Sequence, residues 1–347
     1  MNVLPRLVEP RLRQALGRGK SVLLLGPSQT GKTTLLERLK PDVLSNPICC
    51  TGTAPRGARP PPSGTGVYWR REAEALGVMS VYLTLTREFN EGALRAILSS
   101  GQAVVLHRLA VMSKDGDWIL RESEDALACV LGVLERHGAR YRYGAPLDVR
   151  WMRGGWSSHF EFRSEAIRVR TDFLTRPPRL DADDLAALWR EQASSAIPVV
   201  DPRRLIELKK TNREKDYAVI GELARLIDDP RQQLLASRSA RDLVALAGAR
   251  PDLAKELVAT RPVLAATGAG IDVLEAALDA ERRAMMHANE KRLRRYLAAA
   301  AEWAARWPSV ETGVAGLPLG LAHAALTAQA ERALPFEPPE EPDDSAA

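Results

Sequence analysis

The stretch Ser99–Leu120 reads SSGQAVVLHRLAVMSKDGDWIL, and it places two carboxylates, Asp115 and Asp117, immediately before an apolar run. Trp118–Leu120 indicates a strand. Because side chains alternate along a strand, both carboxylates are expected to leave the same face. Ser100 and Gly101 begin a tight turn, whose backbone N–H groups could face a triphosphate. This one stretch therefore predicts paired metal ligands beside a phosphate-binding turn.

A third carboxylate follows about fifty residues later, in the alternating run AIRVRTDFLT. The alternation puts Asp172 on one side of a strand together with Arg168 and Arg170. Three carboxylates on two neighbouring strands suit Mg²⁺, which takes oxygen ligands and keeps positions open for phosphates. Two plainer interpretations stay open. The Asp-Gly-Asp triplet could be an ordinary turn, and Asp172 could pair with its arginines on a solvated strand face.

The turn, the paired aspartates and the later carboxylate together resemble the nucleotidyltransferase superfamily, especially its minimal and abortive-infection toxin-like branches. The resemblance spans about residues 80–228. It implies that Gly101 is the turn glycine, that Asp115 and Asp117 are the metal pair, and that Asp172 is a third metal-binding carboxylate that helps to activate the acceptor hydroxyl. The chain has Ser100 where the pattern has a first glycine, and Gly116 where it has an apolar residue.

A later run, RRLIELKKTNREKDYAVIGEL, resembles the family's helical segment with a lysine followed by a Lys-Asp pair. The resemblance implies that Lys209 approaches the nucleotide phosphates, while Lys215 and Asp216 orient the helix against the catalytic sheet. The implied reaction is the Mg²⁺-dependent transfer of a nucleoside monophosphate from a nucleoside triphosphate to an acceptor, which could be RNA, protein or a small molecule.

A second nucleotide motif lies in Ser21–Arg38, SVLLLGPSQTGKTTLLER. Its fixed positions fill the phosphate-binding pattern G-x-x-x-x-G-K-[ST], in which glycines let the backbone wrap the phosphates. Residues 4–42 resemble the start of bacterial AAA-type ATPases, which implies ATP as a ligand. The nucleotide-binding residues would be Gly26, Gly31, Lys32, Thr33 and Thr34.

Hydrolysis of ATP would also need a carboxylate at the end of an apolar strand. The best candidate, IPVVD ending at Asp201, is interrupted by Pro198 and followed by Pro202, so we interpret it as a loop that enters the next helix. Residues 1–42 are therefore either a working ATP site or a severed remnant of an ATPase. The competing functions are an ATP-dependent regulator and a non-catalytic interaction protein in which both nucleotide motifs are relics.

Composition limits the number of domains and the class of protein. The 347 residues suffice for two or three domains, 45% are hydrophobic and 27% are charged, and the net charge is +5. Three cysteines form no disulfide framework, and no apolar run has the length of a membrane span. We expect a cytoplasmic protein without a membrane partner.

The pattern along the chain predicts an α+β protein, with a small mixed sheet, an all-helical C-terminal domain and a preceding P-loop fragment. Strand-like runs at Ala103–Leu106 and Leu147–Trp151 alternate with helical runs at Glu91–Leu98 and Glu122–Arg136. The predicted segments are a P-loop fragment (1–42), a linker rich in Pro, Gly and Arg (43–78), a nucleotidyltransferase-like domain (79–204), a helical domain (205–334) and a disordered acidic tail (335–347).

Two further features have both a functional and a structural interpretation. The run Asp272–Trp307 predicts one long helix, and its basic residues between Arg282 and Arg295 could contact nucleic acid or could form an ordinary solvated face. Ser157 and His159 lie close together in GGWSSHFEF, which we interpret as a glycine turn because the spacing places no acidic partner beside them.

Overall fold

The computed structural model describes residues 79–110, 113, 115–164 and 167–337. All of them belong to one compact unit, Tyr68–Ala347. The predicted P-loop residues Gly26–Thr34, the linker and residues 338–347 lie outside the described residues, so the expectations attached to them stay predictions.

Five strands form one mixed sheet in the order β1-β2-β5-β4-β3. Only β2 and β5 run parallel, and the other neighbouring pairs are antiparallel. The sheet together with many helices confirms the predicted α+β class. The strands are β1 (Ala96–Ser99), β2 (Asp115–Leu120), β3 (Arg140–Gly144), β4 (Ser158–Ser164) and β5 (Ile167–Leu174).

Helices surround this sheet, and from Pro202 to Ala330 every regular element is helical. A 3₁₀ helix, Pro262–Gly268, lies between α10 and α11. The α-helices are α1 (Met79–Phe89), α2 (Ser100–Leu106), α3 (Glu124–Arg136), α4 (Val149–Arg153), α5 (Ala182–Glu191), α6 (Pro202–Lys209), α7 (Glu214–Ala224), α8 (Pro230–Ala236), α9 (Ala240–Ala249), α10 (Pro251–Leu257), α11 (Ile271–Ala299), α12 (Ala301–Val314) and α13 (Leu319–Ala330).

The sheet has one apolar face and one mostly polar face, because side chains alternate along each strand. The apolar face carries Trp118, Phe160 and Phe173, which are fully buried, and the rings of Trp118 and Phe173 stack with centroids 5.4 Å apart. Helices α1, α3, α12 and α13 cover this face and form the first core. The mostly polar face is therefore the face that can present catalytic or binding side chains.

A second core holds the helices that border the polar face. Ile97 and Ile119 pack there against α2 and α5–α7. A third core joins α8–α10, the 3₁₀ helix and the first half of α11. The 29-residue helix α11 contributes Leu274 to the third core, packs Met285 against the second and Tyr296 against the first.

Several predicted elements have different bounds or types in the structure. Ile167–Leu174 is a strand and Glu124–Arg136 is a helix, as predicted. Ala103–Leu106 instead belongs to α2. The run predicted as helical, Glu91–Leu98, ends in the strand Ala96–Ser99, which pairs with β2 and is bridged at Leu98 to Val199. Pairing on both sides of a short apolar run overrides its local helical pattern.

The other differences lie at helix boundaries. Leu147–Trp151 runs into the short helix α4 rather than a strand. The predicted long helix is divided between α11 and α12 at Ala300. Asp201 accepts the Arg204 N–H as the N-cap of α6, with Pro202 at its first position, so the run before it is the loop we expected. Within the described ranges, no helix is both long and apolar enough to span a membrane.

Candidate active site

Strand β2, which lies beside the central strand β5, presents Asp115 and Asp117 on the polar face. The residue between them faces the apolar core, where a Cβ at Gly116 would lie 2.5 Å from both Trp118 Cη2 and Tyr82 Cδ1. A side chain at this position would collide with two rings of the first core. Close packing therefore explains why a glycine separates the two aspartates.

The turn between β1 and α2 lies against the start of β2. Ser100 has φ 49°, which is unusual for a residue other than glycine. A Cβ at Gly101 would lie 2.2 Å from Ser113 Oγ, so only glycine fits there. Gln102 Nε2 donates to the carbonyls of Ser113 and Asp115, at 3.1 and 3.3 Å. The turn and the aspartate strand are thus held directly together.

Asp117 lies in the most crowded part of the site. It pairs in register with Ser99 of β1 on one side and with Asp172 of β5 on the other. Burial, followed by the negative charges of Asp172 and Asp115, raises the pKa of Asp117 to about 6, while Lys209 acts in the opposite direction. The ionised form of Asp117 therefore destabilises the folded chain unless a further cation neutralises it.

Asp172 has a different environment, because two donors meet at its Oδ1 atom. Arg142 Nη2 lies 2.8 Å away and His159 Nδ1 lies 2.7 Å away. Burial raises the pKa of Asp172, but the hydrogen bond from His159 and the charge of Arg142 outweigh that effect and lower the pKa overall. Asp172 is therefore a stably ionised carboxylate that is already engaged on one oxygen.

Lys209 closes the site from the C-terminal end of α6. Its side chain is buried, its Nζ atom lies 3.4 Å from Ser100 Oγ, and Asp216 Oδ1 lies 3.8 Å away. Burial lowers the pKa of Lys209, with Asp216 and Asp117 opposing the shift. The ammonium group therefore lies between the turn and the aspartates, with only long contacts to its own chain.

The end of α6 is held in place by residues from elsewhere in the chain. Arg179 Nε donates to the Glu207 carbonyl at 2.7 Å, and Asn289 Nδ2 donates to the Lys210 carbonyl at 2.6 Å. Asp216, in the first turn of α7, accepts from Thr211 Oγ1 at 2.6 Å. Asp216 therefore orients Lys209, whereas Lys215 is exposed and does not share that role by direct contact.

The oxygen atoms of Asp115 and Asp117 are the kind of ligand that Mg²⁺ prefers. Asp115 Oδ1 is buried without a hydrogen-bond partner among the described residues, and its nearest cation, Arg170 Nη1, is 3.8 Å away. No group of three or more acidic, His or Cys side chains in the described part is arranged as a complete metal site. Mg²⁺ is usually bound by one or two carboxylates plus substrate phosphates, so Asp115 and Asp117 fit that partial role.

The structure thus brings six of the predicted site residues into one cluster, namely Ser100, Gly101, Asp115, Asp117, Asp172 and Lys209. It adds His159 of β4 and Arg142 of β3, which sequence reasoning did not place there. A sequence signal was present, because SHFEF and AIRVRTDFLT are alternating runs close together in the chain. Pairing them as a hairpin would have brought His159 near Asp172, which it faces in the structure.

The predicted nucleic-acid contact of α11 stays a prediction. Arg282 donates to Glu214 at 2.8 Å and lies 3.0 Å from Asp279, and Arg294 lies 3.8 Å from Glu290. The guanidinium of Arg292 lies over the ring of Tyr296, 4.7 Å from its centroid. These contacts occupy part of the basic face with acidic and aromatic neighbours from the chain itself.

Comparisons with known proteins give little further guidance. No family model and no curated protein matches the sequence. Among solved structures, a protein named as a candidate nucleotidyltransferase of Helicobacter pylori is 11% identical, with a TM-score of 0.32 over 63% of this chain and 97% of its own. The JHP933 protein of Helicobacter pylori is also 11% identical, with a TM-score of 0.31 over 64% and 95%. Scores this low do not define a shared fold, so the chemistry of the site is inferred from its own geometry.

Proposed function

We propose that this chain is a nucleotidyltransferase that transfers a nucleoside monophosphate from a nucleoside triphosphate to an acceptor hydroxyl and releases pyrophosphate. The observation that carries the proposal is the pair Asp115 and Asp117 on one face of β2, beside the Ser100–Gly101 turn, with a buried Asp115 oxygen that accepts no hydrogen bond among the described residues. Paired carboxylates next to a phosphate-sized turn are the minimum that this chemistry needs.

Each residue of the cluster has a distinct part in the proposed reaction. Asp115 and Asp117 would hold Mg²⁺, which when bound neutralises charge on the triphosphate and on the departing pyrophosphate. Lys209 would donate to the phosphates from the opposite side. Asp172, predicted both as a metal ligand and as an activator of the acceptor, has Oδ1 occupied by Arg142 and His159, which favours the second role.

The proposed reaction is a single displacement. The acceptor oxygen forms a bond to the α-phosphorus, the bond from that phosphorus to the bridging oxygen breaks, and pyrophosphate leaves with the electron pair. We place the acceptor on the side of the sheet formed by β5 and β4. The acceptor hydroxyl would therefore lose its proton to a group on that side.

The test is incubation of the full chain with each α-labelled nucleoside triphosphate, Mg²⁺ and a cell extract that serves as the pool of acceptors. Transfer of label and release of phosphate are measured together. Changing both Asp115 and Asp117 to Asn should lower transfer by more than about 100-fold, because the ligands that organise the charge are lost. Unchanged transfer in this double variant would refute the proposal.

The P-loop pattern at Gly26–Thr33 keeps ATP hydrolysis as a second candidate. The matched control is Lys32→Ala in the same assay. We expect it to leave label transfer within about twofold of the unaltered chain. Phosphate release that is lost only with Lys32→Ala would favour the ATPase, and the absence of both activities with every triphosphate would favour a non-catalytic protein.

A further inference from the structure

A chain of three side chains runs along the polar face beside the aspartates. Ser157 Oγ lies 2.9 Å from His159 Nε2, and His159 Nδ1 lies 2.7 Å from Asp172 Oδ1. The sequence had placed no acidic partner near Ser157 and His159. Pairing of β4 with β5 supplies one, because His159 lies directly opposite Asp172.

The imidazole is fixed from several sides. Asp172 accepts at Nδ1, which assigns the proton to Nδ1 and leaves Nε2 as an acceptor for the Ser157 hydroxyl. Arg142 Nη2, 2.8 Å from the same oxygen, keeps the Asp172 carboxylate ionised and in place. A Cβ at Gly144 would lie 2.7 Å from His159 Cδ2, so the ring occupies space that only a glycine leaves open.

The ring is also accessible, since about a quarter of the His159 side chain is exposed. Across the sheet, Asp117, Asp172 and His159 lie in one row on three adjacent strands. Neighbouring strands are about 4.8 Å apart, so His159 lies about 10 Å from Asp117. His159 therefore lies on the side of the aspartates away from Ser100 and Lys209, and its Nε2 atom already accepts a hydrogen bond from a hydroxyl.

We propose that His159 takes the proton from the acceptor hydroxyl, with Asp172 orienting the ring, and that Ser157 Oγ marks the position where that hydroxyl binds. The inference rests on the proposed nucleotidyltransferase function. As the acceptor oxygen bonds to the α-phosphorus and pyrophosphate leaves, the hydroxyl proton passes to Nε2. The imidazolium is stabilised by the Asp172 carboxylate and then releases its proton to water.

The test compares three variants of the full chain in the labelled-triphosphate assay with cell extract. His159→Ala should lower kcat by about 10²–10⁴-fold, the usual contribution of a general base, with KM for the triphosphate within about twofold. His159→Gln should be similarly slow, because an amide can replace both hydrogen bonds but cannot take the proton. Added imidazole should restore part of the rate of His159→Ala and none of the rate of His159→Gln.

Ser157→Ala tests the acceptor position beside the ring. It removes the hydroxyl that the acceptor would have to displace from Nε2, so the proposal predicts transfer at least as fast as in the unaltered chain. If Ser157→Ala abolishes transfer and the label is found on this chain itself, Ser157 is the nucleophile and the assignment of an external acceptor to Nε2 is wrong.

Two further results would overturn the inference. A His159→Gln variant with nearly full activity would show that His159 only positions Asp172. A His159→Ala variant with unchanged kcat and a raised Mg²⁺ requirement would place His159 on the metal side. Failure of the proposed function is distinguished by the Asp115→Asn/Asp117→Asn chain, because continued transfer there refutes that function whatever the His159 variants do.

Discussion

The position of the Asp117 carboxylate suits the proposed reaction but lowers the stability of the fold. Asp117 has the carboxylates of Asp172 and Asp115 as neighbours, and its pKa is raised to about 6 mainly by burial. Lys209 and Ser100 offset only part of this effect. Active sites commonly hold groups in environments that the fold alone would not choose.

The first prediction is that Asp117→Asn stabilises the metal-free protein while it abolishes transfer. A raised carboxyl pKa means that the folded state binds the proton more tightly than the unfolded state does. The resulting penalty is absent below about pH 4 and complete above about pH 6. Asn removes it, so we expect a gain of about 1–3 kcal/mol at pH 7.5 in the presence of EDTA.

Urea denaturation at pH 4 and at pH 7.5 measures this difference. The gain should shrink towards zero at the lower pH. A variant that is less stable than the unaltered chain at pH 7.5 would contradict the prediction. Addition of Mg²⁺ should stabilise the unaltered chain and have a smaller effect on Asp117→Asn.

The second prediction concerns Ser100, whose left-handed backbone is combined with a hydroxyl that contacts Lys209 Nζ at 3.4 Å. Ser100→Gly removes the backbone strain and the hydroxyl, whereas Ser100→Ala removes only the hydroxyl. We therefore expect Ser100→Gly to be more stable than Ser100→Ala by about 1 kcal/mol. Equal thermal stability of the two variants would show that the turn stores no strain.

At the scale of elements, the site depends on contact between the β1–α2 turn and the chain just before β2. The third prediction is that Gly101→Ala lowers transfer strongly, because its Cβ would lie 2.2 Å from Ser113 Oγ and 2.9 Å from Ser113 Cβ. The displaced segment leads directly into Asp115. We expect a loss of at least about tenfold in kcat, since small misplacements of catalytic groups have large effects.

The matched variant is Gly101→Ala combined with Ser113→Gly, which removes both colliding atoms. In the double variant, log kcat should recover at least half of the decrease caused by Gly101→Ala. Ser113→Gly alone serves as the control for the missing hydroxyl. If the double variant is no better than Gly101→Ala, the collision is not the cause of the loss.

Comparison of the predicted and observed helices and strands shows what the sequence could predict. Alternation predicts the common face of the paired aspartates and the side of Asp172, and the helical pattern at Glu122–Arg136 predicts the helix found at Glu124–Arg136. Both patterns are local. Ala96–Ser99 and Ala103–Leu106 have the wrong predicted types, because their apolar runs are too short for a period to decide. Their types depend on the turn at Ser100 and on pairing with distant Val199.

The same reasoning explains the missed histidine. His159 becomes part of the site because β4 pairs antiparallel with the next strand in the chain, β5, which itself lies parallel beside β2. That register is set by packing of Phe160 and Phe173 in the first core, not by any motif around His159. Local patterns predict which residues share a face, whereas the order of strands comes from the whole chain.

For the whole molecule, residues far along the chain complete the first core. Trp151 Nε1 donates to the Leu334 carbonyl and Trp156 Nε1 donates to the Phe336 carbonyl, each at 3.1 Å. The ring of Phe336 lies 4.8 Å from that of Trp151. The first residues of the predicted acidic tail are therefore part of the fold.

The fourth prediction compares two shortened chains, one that ends at Glu337 and one that ends at Ala333. The shorter chain lacks the partners of two largely buried indole N–H groups and the buried side chain of Leu334. Each orphaned donor is worth about 1–3 kcal/mol, so we expect a loss of about 3–6 kcal/mol in the free energy of unfolding. Chemical denaturation of the two chains measures it, and a difference below about 1 kcal/mol would contradict the prediction.

Helices α12 and α13, which cover part of the sheet, are synthesised after the strands that they cover. All five strands have been made once Leu174 is added, yet Trp303, Leu326 and Leu334 of the same core come much later. At about 5–20 residues per second, the stretch between Leu174 and Leu334 takes roughly 8 to 32 s to synthesise. During that interval the nascent sheet has its aspartate row, but its apolar face is covered only by α1 and α3, so we expect the site to reach its final stability once α12 and α13 have been made and packed.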